Sequence, residues 1–263
     1  MKPVKISSIL YCMLIFVFVL SACSTLAPEP TVTPTDTPIP TATITLTPTN
    51  TPRPSPTPRP TKTPNLAATQ KYEEFNEETQ KYFDSGYLNT IDGKAREIDD
   101  FSLEWAQLGW YNWLPLRQTA SDFYISAHLK WSSAYRNADT SGCGVLFAIQ
   151  GNGDHYAVFL DRSKILFLNA DSATSYSRPV GLTRGSGRVK FDNPADNPVE
   201  ADLTVIVNDI HAYVLVDGEL IGEYTLAKSK TLKGDIGLSL LSGTNKDYGT
   251  RCDMSNIHVW IPE

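Results

Sequence analysis

The first part of this chain lacks glycine and tryptophan altogether. All 16 glycines lie at or after Gly86, and all five tryptophans lie at or after Trp105. The chain is therefore composite, and each part needs its own reading. Past the opening apolar run, no stretch is long and apolar enough to cross a bilayer. Cysteine occurs four times and never with oxidoreductase spacing. The four histidines, His128, His155, His211 and His258, include no close pair. That argues against a zinc site, which needs three or four converging ligands. Positive charge is scarce: 23 Lys and Arg stand against 29 Asp and Glu, a net charge of −6. Over residues 65–263 the excess deepens to −9, which argues against nucleic acid and anionic lipid as partners of that part. Gly185-Ser186-Gly187 has no strand-to-helix unit around it, so it reads as a turn rather than a phosphate loop.

Residues 1–22 follow the plan of a lipoprotein signal peptide. Lys2 and Lys5 make a positive start, Ile9 to Leu20 an apolar run, and Ser21 and Ala22 the small residues that follow. The run is about twelve residues, short of the roughly 20 that a span needs. Leu20-Ser21-Ala22-Cys23 resembles a bacterial lipobox. The resemblance implies cleavage before Cys23 and lipidation of Cys23. Several acyl chains on that residue give a stable membrane anchor where one chain does not. The membrane is then a partner through Cys23, and the expected location is extracytoplasmic, at the cell surface. Residues 23–65 read as a disordered linker: Pro or Thr fills 25 of the 39 positions from 26 to 64. Such a segment favours extended polyproline II, with a contour of ~120 Å at about 3.1 Å per residue.

Residues 66–85 change character again. Ala68, Tyr72, Phe75, Thr79 and Tyr82 recur at spacings of four and three, opposite Glu73, Glu74, Glu77, Glu78 and Lys81. This predicts an amphipathic helix that starts after Pro64, ends before Gly86 and packs on the domain that follows.

Residues 86–263 are dominated by alternation of apolar and polar residues. Phe123 to Trp131, Cys143 to Ile149, Tyr156 to Leu160, Ile165 to Leu168 and Ala201 to Val207 read as strands. So do Ile210 to Val216, Ile236 to Leu240 and Cys252 to Ile261, with a hairpin turn at Asp217-Gly218. Many short strands separated by Gly and Asn turns predict an all-β sandwich. Five segments carry a more specific likeness: Ile98-Asp99-Asp100-Phe101, Cys143-Gly144-Val145-Leu146-Phe147, Asp154 to Phe159, Ala212 to Gly218 and Leu232 to Leu238. With Met254 to Trp260 at the end, the domain resembles the concanavalin A-like lectin/glucanase jelly roll. The likeness is to its laminin-G and 3-keto-disaccharide-hydrolase-like branch, over roughly residues 98–261. The resemblance implies a jelly-roll fold, which hosts lectins, hydrolases and inert spacers alike.

Candidate sites follow. With Cys12 removed and Cys23 lipidated, Cys143 and Cys252 remain, on early and late strands that jelly rolls pair, and a disulfide between them is expected. Glu97-Ile98-Asp99 invites comparison with the alternating acids of retaining glucanases, but Phe101 and Ser102 stand where the third acid belongs. It reads as an ordinary strand start. The four histidines have the parity opposite to the core set. Tyr124, His128, His155, Tyr213 and Trp260 are expected on one open sheet face, either as exposed polar neighbours or as a sugar platform. Trp105, Trp110, Tyr111 and Trp113 form an aromatic cluster in which Trp105 reads as core. Tyr111 and Trp113 stand open between core packing and sugar stacking. Gly151 to Asp154 and Asn137-Ala138-Asp139 read as turns, with calcium as the alternative in that branch. No metal or other cofactor is otherwise expected. The leading function is non-catalytic binding of a glycan or another surface polymer. The alternatives are a protein-interaction module of the envelope and a glycoside hydrolase-like enzyme.

Overall fold

The computed structural model describes residues 66–135, 140–174, 176–191 and 198–263. Among them are one helix and fourteen strands. The helix α1 (Leu66–Asp84) has the expected amphipathic stripe. Tyr72 is exposed, while Phe75, Thr79 and Tyr82 make contact with the domain. Gly86, at φ 73°, ends the helix. Its N–H donates to the Phe83 carbonyl, and that of Tyr87 to the Tyr82 carbonyl, both at 2.9 Å. This is the left-handed cap that glycine adopts without cost.

The strands form two antiparallel sheets. The larger runs β1 (Gly93–Ile98), β14 (Thr250–Pro262), β4 (Phe123–Ser133), β10 (Val199–Asn208), β11 (His211–Val216), β12 (Glu219–Thr225) and β9 (Leu182–Gly185). The eighth strand, β2 (Phe101–Trp105), pairs with the first half of β14, beyond a bulge from the half that β1 takes. The smaller sheet runs β3 (Trp110–Ala120), β13 (Gly234–Ser242), β5 (Gly142–Ile149), β6 (His155–Leu160), β7 (Ile165–Asp171) and β8 (Tyr176–Pro179). Asp99-Asp100 separates β1 from β2, so Glu97-Ile98-Asp99, expected to start a strand, instead ends one. Together the sheets are an antiparallel two-sheet β-sandwich.

The core lies between the sheets and follows the period of two. From the larger sheet come Phe123, Ile125, Ala127, Leu129 and Trp131 on β4 and Leu203, Val205 and Val207 on β10. From the smaller come Val145 and Phe147 on β5, Tyr156, Val158 and Leu160 on β6, and Ile236, Leu238 and Leu240 on β13. Each large apolar side chain so buried contributes about 1.5–3 kcal/mol against chain entropy. The expected disulfide is present: Cys143 on β5 joins Cys252 on β14, with Cα atoms 5.6 Å apart. It staples one sheet to the other across 109 residues of chain. On the loop-entropy model such a link stabilises by about 4–5 kcal/mol. Asp217 (φ 51°) and Gly218 (φ 77°) turn β11 into β12. Both are left-handed, as a two-residue hairpin requires.

The two outer faces differ. The larger sheet buries Tyr124, Ile206, Leu215 and Trp260 under Tyr82 of the helix and Leu88 of the segment after it. The smaller sheet's outer face carries Leu146, Ala157, Phe159 and Leu241, flanked by Tyr111, Ile149, Leu166 and Leu168.

Candidate functional site

The residues expected on one open face fall on two. Tyr124, His128, Tyr213 and Trp260 lie on the larger sheet, and His155 lies on the smaller. The expectation of an open platform around Tyr124 and Trp260 is corrected by the helix. Tyr124 is 0% exposed and Trp260 is 3% exposed. Their rings stack at 5.7 Å, and the Tyr124 hydroxyl shares a 3.0 Å hydrogen bond with Thr79 Oγ1 of α1. Tyr82 meets the Tyr124 ring edge-on and donates its hydroxyl to Glu78 Oε1. Burial drives both phenol pKa values well above the ordinary range. His258, also on this face, is bonded to Glu78 and packed edge-on against Phe75. What the sequence presented as a binding face is a helix-docking face. Tyr213 is half-buried against Tyr87. His128 lies nearer the solvent, where Asp202 at 2.8 Å and Glu200 at 3.3 Å flank it. The hydrogen bond to Asp202 raises its pKa.

Tyr111, Trp113 and His155 do come together, on the outer face of the smaller sheet. Tyr111 and Trp113 are two apart on the edge strand β3, so they share a face. Their partners on β13 are Leu241 and Ser239. Ser239 is paired in turn with Gly144 of β5. A Cβ at Gly144 would lie 1.8 Å from the Val158 carbonyl oxygen, so no side chain fits there. This serine–glycine floor leaves the Trp113 ring open, and Trp113 is 40% exposed. Trp110, the first residue of β3, is 63% exposed.

His155 starts β6 and faces these rings. Its Nδ1–H donates to the Gly153 carbonyl at 2.8 Å, and its Nε2 accepts the Tyr111 hydroxyl at 2.6 Å. That pairing requires a neutral imidazole. Burial agrees, holding the His155 pKa below the ordinary value, and nearby Lys230 adds to the effect. The ring centroids of Trp113 and His155 are 5.6 Å apart, those of Tyr111 and Phe159 5.4 Å. Trp110, Tyr111, Trp113 and His155 wall a hollow of about 400 Å³, with Asp171, Ser172 and Ser177 on its polar side. Flat exposed rings beside hydroxyl and carboxylate acceptors can stack on one surface of a ligand and bond its rim.

The carboxyls nearby are fixed acceptors. Asp154 accepts the Ser172 backbone N–H and the Ser172 hydroxyl, both at 2.8 Å, and the Asn152 amide at 3.1 Å. These bonds, the backbone one first, hold its pKa below the ordinary carboxylate range. Asp161, whose pKa burial raises, lies just past β6, at the far end of that strand from His155. Glu97 ends on the larger sheet in an exposed ion pair with Lys71. Gly151 to Asp154 form the tight turn between β5 and β6. Among the described residues no three His, Cys, Asp or Glu side chains gather as a metal-binding set. Residues 1–22 and the linker, Cys23, and Asn137-Ala138-Asp139 lie outside the described residues.

No protein-family model matches the chain, and no curated protein matches it. Solved structures do. The carbohydrate binding module CBM66 from Bacillus subtilis is 9% identical, with 62% of this chain and 92% of that one covered and a TM-score of 0.41. A Bacillus licheniformis β-glucanase is 14% identical, covering 56% and 69%, with a TM-score of 0.41. An Aspergillus kawachii β-fructofuranosidase complexed with glycerol is 16% identical, covering 66% of this chain but only 28% of that one, at 0.39. These are likenesses of fold, and the site stands on its own geometry.

Sequence reasoning placed Tyr111, Trp113 and His155 separately and missed the polar side. Asp171, Ser172 and Ser177 sit at the β7–β8 connection, where neither periodicity nor a motif marks them. The signal that could have joined them is the parity of β3 and β6 taken together with the small pair Gly144 and Ser239.

Proposed function

We propose that the sandwich is a non-catalytic glycan-binding module, displayed outside the cytoplasm on a Pro/Thr-rich tether and anchored to the membrane through lipidated Cys23. The observation that carries the reading is the exposure of Trp110 and Trp113 beside the Tyr111–His155 pair. Tryptophan rings are normally spent on burial, and here two face solvent next to hydrogen-bonding groups. The non-catalytic part draws on the carboxyls: Asp154 is a committed, ionised acceptor, and a glycosidase acid needs a raised pKa.

Affinity gel electrophoresis against hydroxyethyl cellulose, laminarin, dextran and galactomannan tests the reading. At least one polymer should retard the domain, and Trp113→Ala should weaken that retardation about tenfold or more, the equivalent of 1.4 kcal/mol. Unretarded migration in every gel would count against glycan binding. A protein-interaction reading draws on Leu108, just before β3, and Leu114, on β3 itself, both of which are exposed. Copurification of one defined envelope protein, lost on Leu114→Asp and kept on Trp113→Ala, would favour it.

A further inference from the structure

A second hollow, of about 490 Å³, opens beside the aromatic one. It lies across the β5–β6 turn, and Asp171 lines both. Its walls are amides and hydroxyls, Gln150, Asn152, Asn169, Ser229 and Thr231, together with Asp154 and Asp171. Lys230 is the one basic residue lining it. That ammonium is already committed. It donates to Asn169 Oδ1, to the Ala170 carbonyl at 2.6 Å and to the His155 carbonyl at 3.1 Å, and it lies 4.8 Å from the Tyr156 ring centroid. An ammonium has three N–H donors, and these three oxygens use them all. The neighbouring Lys228 and Lys233 do not line the hollow.

The consequence is a polar site with no cationic donor to offer. A carboxylate, sulfate or phosphodiester entering it would meet the ionised Asp154 and the Asp171 side chain, with no charge-assisted bond in return. A hydroxyl would meet carboxylate and amide oxygens as acceptors. Among the described residues, the Ser229 and Thr231 hydroxyls have no protein partner and are exposed at the rim. Both hollows fall within the roughly 300–1,000 Å³ typical of ligand sites.

We propose that this hollow is a second subsite of the same surface, taking the sugar units next to the one stacked on Trp113 and selecting uncharged glycans over anionic ones. The inference rests on the glycan-binding reading and adds to it a ligand of at least two units and its charge class. The test uses each of the four neutral polymers named above and its carboxymethyl derivative, with the intact lipid-free chain in affinity electrophoresis. The binding polymer should lose about tenfold or more of its affinity on carboxymethylation. The double variant Ser229→Ala/Thr231→Val should weaken neutral binding about three- to tenfold, the range of one or two hydrogen bonds to a ligand. Ser229→Arg adds an uncommitted cation to an exposed loop position, and it should recover binding of the carboxymethyl form. Equal affinity of the wild type for both forms overturns the proposal. So does a double variant indistinguishable from wild type while Trp113→Ala abolishes binding, and that outcome leaves the glycan reading standing. Absence of any neutral binding removes the glycan reading and this inference with it.

Discussion

His155 and His128 are tied to stability with opposite signs. Burial lowers the pKa of His155, so the unfolded chain takes up its proton more readily than the folded one. Its contribution is complete above the unfolded value of about 6.5 and is lost as pH falls through the folded value. His128 is raised by its bond to Asp202, so its contribution is complete below about 6.5 and is lost as pH rises through the folded value. A third of the His128 side chain is exposed, and solvent screening keeps that term small. Between pH 7 and pH 5 the thermal midpoint should therefore fall more steeply in the wild type than in His155→Gln. Matching slopes would mean that His155 is not the buried neutral acceptor described above. The same residues show what a sequence discloses at this scale. Period-2 parity correctly turned His128, His155 and His258 away from the sandwich interior. Parity separates inside from outside but does not say which sheet a strand joins. His155 was therefore grouped with Tyr124 and Trp260, from which the whole sandwich separates it.

At the scale of elements, α1 is the part whose position matters most. It closes a face that would otherwise present Tyr124, Ile206, Leu215 and Trp260 to water. Tyr82 is central to that closure, packing on Tyr124 and bonding Glu78. Tyr82→Ala should cost about 3 kcal/mol, as large aromatic truncations do, measured by urea denaturation. A loss under about 1 kcal/mol would show that the helix is only loosely held. The amphipathic spacing of residues 66–85 was legible as a packed helix, but the surface under it was not. A helix stripe and an outer sheet face each look like a site when read alone. The long strands β4, β5, β10 and β14 were legible because each alternates over several residues against a buried face. The short strand β9 is exposed throughout and carries no alternation to read. The aromatic site depends on Gly144 and Ser239, small residues whose meaning appears only when β3, β13 and β5 are set side by side.

The whole molecule combines a charge-poor, proline-rich front with an acidic sandwich, and the proposed anchor gives that asymmetry a use. On that proposal the Pro/Thr-rich stretch stands in the sequence between the lipidated Cys23 and the folded part. Cys23→Ser should shift the protein from the membrane fraction to the soluble extracytoplasmic fraction and abolish labelling by a radioactive fatty acid. Retention of both in the variant would place the anchor elsewhere. The central claim is that the exposed rings of β3 bind sugar, and tryptophan fluorescence reads it directly. Trp131 and Trp260 are buried, whereas Trp110 and Trp113 are exposed. Titration of the domain with each neutral polysaccharide should give a saturable change in emission with at least one of them. Trp113→Ala should abolish that change or shift its midpoint about tenfold or more, while leaving the thermal midpoint within about 2 °C, since surface substitutions typically move stability by under 0.5 kcal/mol. Emission unchanged by every polymer, or a titration curve with the wild-type midpoint in Trp113→Ala, would contradict the account.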